Sequence, residues 1–246
     1  LLAVAEASGT ALIPNSISVG TFEGVSSGAG SSRINILTIS PDITPSKPLV
    51  IAAATAALSS GAIVDGPLQS GGVATGTLTT PGGLIEVLAG GAISTAAINT
   101  SSSSIGGQVI LLSAGLNGVL PATINTGSIN SSGVGSANGA VTISTPGSIA
   151  IDSIVTGGAS VLLLAGDSSF EGNISFNSIN TSGIAGGAIQ IVSLGTQGVV
   201  GSVAASIISS ATGAIVAGGA SAASGAVTIS SANGPIALAG ITTSAT

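Results

Sequence analysis

Eight carboxylates are all the acidic chemistry available to this chain of 246 residues, and they stand against only two bases, Arg33 and Lys47. There is no His and no Cys. Calcium-binding solenoid repeats need aspartates at a fixed period, and Asp42, Asp65, Asp152 and Asp167 keep none. Asp152, Asp167 and Glu171 are close enough in sequence to meet on neighbouring coils of a repetitive fold and hold a hard cation through oxygen ligands. Calcium wants six or more oxygens, so the expectation is that these three are exposed corner charges and that no metal is bound. Cleavage of a polysaccharide would need clustered acids with a base beside them, and both bases lie far from most of the acids. Serine is abundant, but a nucleophilic serine needs a general base next to it. The serines are therefore expected to solvate an outer face, and no catalytic or cofactor-binding residue is assigned.

Two further patterns have a chemical reading. A flat surface that binds ice or a crystal face would show a regular ladder of Thr-x-Thr, and Thr77-Leu78-Thr79 fits that form without recurring along the chain. Four N-x-S/T sequons occur, at Asn99, Asn130, Asn173 and Asn180. In a chain this rich in Ser and Thr several arise by chance, and no glycan is inferred. Two bases cannot neutralise a phosphate backbone, so nucleic acid is excluded as a partner.

Composition narrows the scaffold. Hydrophobic residues make up 44% of the chain but aromatics only 1%, namely Phe22, Phe170 and Phe176. Charged residues are 4%, against about a quarter in ordinary globular domains. The high apolar content excludes a disordered chain, and 39 glycines without a three-residue period exclude collagen. Zero cysteines exclude a disulfide framework. With no Met, the chain is expected to be a processed product or a fragment. The most helix-like apolar run, LVIAAATAALSSGAIV at 49–64, is shorter than a bilayer span needs, so no membrane span is expected.

The elements that could position anything are short and repeated. GAVTIS at 139–144 returns at 225–230, and related glycine-led phrases begin at 82, 106, 157 and 186. GGQVILLSAGLNGVL (106–120) aligns without gaps to GGAIQIVSLGTQGVV (186–200). Residues 106–156 and 186–243 therefore read as two copies of a larger unit, with insertions at corners. Within a unit Val141 and Ile143 alternate with Thr142 and Ser144, the period of a strand with one buried face. A turn follows, then Ile149 and Ile151, then a break before Ile154. The second copy repeats this with Val227, Ile229, Ile236, Leu238 and Ile241. Three short strands joined by tight corners make one coil. Stacked coils pair each strand with its equivalents about 4.8 Å above and below. Gly, Asn, Pro and Ser are expected at the corners, including positions of positive φ. The predicted fold is all-β, a parallel β-helix of three-strand coils, with an irregular N-terminal part over 1–80 and a repetitive part over 81–246.

The phrase GAVTISTPGSIAIDSIVT, with GGQVILLSAG and INTGSINSSG, resembles the repeats of filamentous haemagglutinin-like exoproteins over roughly residues 82–243. The resemblance implies a right-handed parallel β-helix, export to the cell surface, and a part in adhesion, aggregation or fibre formation. It carries over no catalytic residue. The rung style of PIALAGITTSAT continues to the last residues without a charged or helical cap. Together these give the expectation of a non-enzymatic, extracellular, self-assembling subunit of a surface filament, sheath or matrix whose main partner is itself. The alternative is a stalk segment of an adhesin that binds cell-surface or polysaccharide ligands.

Overall fold

A computed structural model describes the strands within residues 2–39, and residues 73–246 apart from 90, 114–121, 135–138, 168–169, 196–205, 211–212, 221–222, 233 and 245–246. Among the described residues every regular element is a β-strand, and all strand pairs are parallel. The candidate helix at 49–64 lies outside them. No helix among them is long and apolar enough to cross a membrane.

The chain is a parallel β-helix. Its first sheet, here sheet A, stacks eight strands: β1 (Leu2–Glu6), β4 (Arg33–Ile39), β7 (Leu84–Ala89), β10 (Val109–Ser113), β13 (Val141–Thr145), β15 (Val161–Ala165), β17 (Ile189–Ser193) and β20 (Val227–Ser231). Each begins one coil. The second sheet has two faces. One is formed by β2 (Ile17–Val19), β5 (Val73–Thr75), β8 (Ile93–Thr95), β11 (Ile124–Thr126), β18 (Ile207–Ser209) and β21 (Ile236–Ala237). The other is formed by β3 (Phe22–Glu23), β6 (Leu78–Thr79), β9 (Ile98–Asn99), β12 (Ile129–Asn130), β19 (Ile215–Val216) and β22 (Ile241–Thr242). In two coils both faces are served by one longer strand, β14 (Ile149–Val155) and β16 (Ile174–Asn180). The break expected before Ile154 is therefore a bend within β14. Asp152 and Ser153 point away from the core there, where other coils have a corner at 76–77, 96–97 or 127–128. Because Ser153 pairs with Ser178 in register, the ladder continues through the bend.

Register turns the phrases into columns. Ile85, Val109, Val141, Val161 and Ile189 stand in one inward column, and Val87, Leu111, Ile143, Leu163 and Ile191 in the next. Ile93, Ile124, Ile149, Ile174 and Ile207 form a third, and Ile98, Ile129, Ile154, Ile179 and Ile215 a fourth. All are buried. β-Branched residues suit such columns because their χ1 is already restricted and they pack well on a pleated surface. The larger repeat is a pair of coils: 106–156 contains β10 to β14 and 186–243 contains β17 to β22, separated by the coil of β15 and β16. The strands before residue 80 join the same ladder, since β4 pairs with β7 and β5 with β8.

Gly82 and Gly157, which lead two of the phrases, take the expected positive φ, 68° and 64°, but four other phrase glycines have a different cause. Gly107, Gly139, Gly187 and Gly225 stack on the coil above, and an added Cβ would lie 1.8, 1.8, 2.0 and 2.1 Å from the carbonyl oxygens of Gly83, Gly107, Ala159 and Gly187. Close approach of backbones, not positive φ, demands glycine at these four positions. Val161 stands in register on Val141, so the stacked equivalent of Gly139 is Ala159 and not the Gly157 that leads the next phrase.

Candidate functional site

Polar side chains fall into two sets, one sealing the corners and one on the surface. The corner set returns the chain to sheet A. Thr100, Ser131 and Thr181 are buried. Their hydroxyls donate to the carbonyl oxygens of Gly107, Gly139 and Gly187 at 2.6, 2.6 and 2.7 Å. The backbone closes the same pairs in reverse, with Gly107 N, Gly139 N and Gly187 N donating to the carbonyls of Thr100, Ser131 and Thr181 at 2.9, 3.3 and 3.0 Å. The loops closed by these clamps are of similar size, six residues at 101–106, seven at 132–138 and five at 182–186. The irregular spacing of the phrases arises mainly at the corner that leaves sheet A, with three residues between β7 and β8, ten between β10 and β11 and thirteen between β17 and β18.

The residues on either side explain the sequons. Asn99, Asn130 and Asn180 each accept, through Oδ1, from the backbone N–H of Ser101, Ser132 and Ser182 at 3.0, 3.1 and 2.9 Å. The hydroxyls of the same serines donate to those oxygens at 2.6, 2.7 and 2.5 Å. The N-x-S signature is here an Asx turn in which the asparagine imitates a backbone carbonyl. Asn173 does the same between coils, accepting from Ser206 N and Oγ, both at 2.8 Å. The repetition of Asn-Thr/Ser-Ser before the glycine that opens the next coil was the signal in the sequence, hidden by its likeness to a glycosylation motif.

Threonine forms a ladder inside the coil, not outside. Thr75, Thr95 and Thr126 share an inward column, and Thr95 Oγ1 donates to Thr126 Oγ1 at 2.7 Å. Thr79 is followed in register by Asn99, so the Thr77-Leu78-Thr79 triplet starts no outward threonine ladder.

The surface set centres on Asp152. Its carboxylate accepts from Ser128 Oγ at 2.5 Å and from Asn177 Nδ2. The three residues belong to successive coils, so the carboxylate ties three rungs together at one corner. With Asn125, Ser175 and Ser210 it lines a shallow groove of about 430 Å³. The other acids lie elsewhere. Asp167 Oδ1 accepts from Phe170 N at 2.8 Å in its own tight turn. Asp152, Asp167 and Glu171 form no metal-holding group, and none exists among the described residues. Asp42 and Asp65 lie outside the described residues. Glu86, unremarked in the sequence, is buried on the outward side of β7 beside buried Leu88.

No family model, curated protein or solved structure matches the chain. The groove's chemistry must be read from the groove. It offers amides, hydroxyls and one carboxylate, a set that hydrogen-bonds to hydroxyl-rich molecules.

Asp152 makes a testable contribution to stability. Hydrogen bonds from Ser128 and then Asn177 hold its carboxyl below the usual aspartate value, against a smaller opposing effect of burial. A depressed folded pKa stabilises the fold above the unfolded value, about 3.9 for aspartate. The stabilisation is lost as pH falls through the lowered value. Urea unfolding at pH 6 and at pH 2 is expected to show a smaller acid-induced fall in midpoint for Asp152→Asn than for the unaltered chain. Equal falls would mean the three-coil tie contributes nothing.

Proposed function

We propose that the chain is a non-enzymatic, extracellular structural protein, the β-helical building block of a cell-surface filament, sheath or matrix. The observation that carries this reading is the final coil. Val227 and Ile229 occupy the inward columns of sheet A but are only half-buried, and Ile236 and Ile241 are 46% and 50% exposed where Ile207 and Ile215 one coil earlier are 0%. β20 to β22 thus present to the next coil the same aliphatic floor and backbone ladder that every earlier coil presents to its successor. A further coil stacked on it would bury that floor and complete its hydrogen bonds; in the proposed assembly that coil belongs to a neighbouring copy. The similarity of the phrases to filamentous haemagglutinin-like repeats supports a place on the cell surface.

A second reading, an adhesin stalk that binds a host or environmental ligand such as a polysaccharide, draws on the polar groove at Asp152. Electron microscopy of the purified native protein at neutral pH separates the two. Long uniform filaments are expected. Isolated short rods that persist at high concentration would overturn self-assembly and leave the stalk.

A further inference from the structure

The corners that return each coil to sheet A lie one above another along a single edge. Four consecutive ones, 100–107, 131–139, 156–159 and 181–187, contain no charged residue. Three of them raise one aliphatic side chain into solvent: Ile105 is 55% exposed, Val134 76% and Ile184 50%. These are held in built turns. Ser102 Oγ donates to the carbonyl of Ile105 at 2.6 Å and accepts from Ser104 N at 3.2 Å. Gly183, beside Ile184, donates to Gly218 O at 3.2 Å and accepts from Ala220 N at 2.8 Å. The remaining corner is short. Thr156 Oγ1 closes it on Ala159 O at 2.6 Å, and its apex is Gly157-Gly158 at φ 64° and 116°, with no side chain to project.

We propose that this edge pairs with the same edge of a second copy, antiparallel and related by a two-fold axis. Read along the solenoid, the edge runs projection, projection, notch, projection. Turned end over end it runs projection, notch, projection, projection. Laid against itself with the axis between the second and third corners, Val134 of each copy meets the glycine notch of the other. Ile105 of each then meets Ile184 of the other. The match is self-complementary, as a two-fold interface requires. The chain's net charge of −6 makes copies repel one another, and contact through these four corners brings no like charges together. The seam is lateral, so it does not rest on the stacking of ends.

Because the protein has no cysteine, single substitutions give clean cross-linking handles. Ile105→Cys and Ile184→Cys are both exposed sites, and each variant is oxidised alone and in an equal mixture. The mixture is expected to give disulfide dimers containing one chain of each kind, several-fold above either variant alone. In the antiparallel seam the two copies of position 105 lie three coil heights apart, about 14 Å, beyond the roughly 7 Å limit between Cα atoms of a disulfide. Equal cross-linking of Ile105→Cys with itself would overturn the antiparallel arrangement. A protein that sediments as single chains and gives no mixed cross-link would overturn the seam. Filaments without the mixed cross-link would overturn the seam and spare end stacking, whereas mixed dimers without filaments would do the reverse.

Discussion

Replacing Gly139 by alanine is expected to destabilise the protein by at least about 3 kcal/mol, in the range where single substitutions become exceptional. The added Cβ would lie 1.8 Å from the carbonyl oxygen of Gly107. That atom is backbone, held in the Thr100 clamp, whose hydroxyl donates to it at 2.6 Å while Gly107 N donates back to Thr100 O at 2.9 Å. It cannot swing aside as a flexible side chain would. Relief requires the two coils to part, which breaks the clamp of Ser131 on Gly139 as well. The control is within the same column. Alanine already stands at position 159, in the short corner where the loop between clamp partners is smallest. Ala159→Gly therefore removes no clash and is expected to change stability by no more than about 1 kcal/mol. Urea midpoints measured for both variants check the pair. Similar small effects at both positions would mean that the column is glycine for conformational freedom, as the sequence first suggests, and not for contact.

The contrast shows what was readable from the chain and what was not. The inward columns were legible because Val141, Ile143, Ile149 and Ile151 alternate with small polar residues, and one buried face leaves that period behind. RINILTI carries the same alternation at the start of the chain, and its strand joins the ladder beside β7. The coil boundaries were not legible from phrase spacing. The corner that leaves sheet A takes ten residues after β10 but three after β13, so the spacing measures loops and not coils. The tie of Asp152 to Ser128 and Asn177 was invisible for a related reason. It joins residues of three coils, and their meeting depends on register, which no local pattern encodes. The acids that sequence proximity grouped with Asp152 sit instead in a turn of their own, since Asp167 is engaged by Phe170 N.

Register also separates two residues that the sequence makes identical. Ile143 and Ile229 occupy the same place in the two copies of GAVTIS, yet Ile143 is completely buried and Ile229 only half-buried. Ile143→Ala is expected to cost roughly 2–5 kcal/mol, the transfer loss plus a cavity that stacked backbones cannot collapse to fill. Ile229→Ala in the dispersed protein is expected to cost well under half as much, because water already reaches one side of the column. Assembly by end stacking reverses the order of importance. Once a neighbouring coil covers the last rung, Ile229 becomes a core residue of the joint, while Ile143 is unchanged by it. Ile229→Ala should then raise the protein concentration needed for filaments several-fold at nearly unaltered stability of the single chain. Paired measurements of urea midpoint and of critical concentration by sedimentation test this. A variant that unfolds as easily as Ile143→Ala would mean that the last rung is covered within one chain. One that leaves both quantities untouched would mean that the aliphatic floor is not the joint, and end stacking through β20 would have to be abandoned.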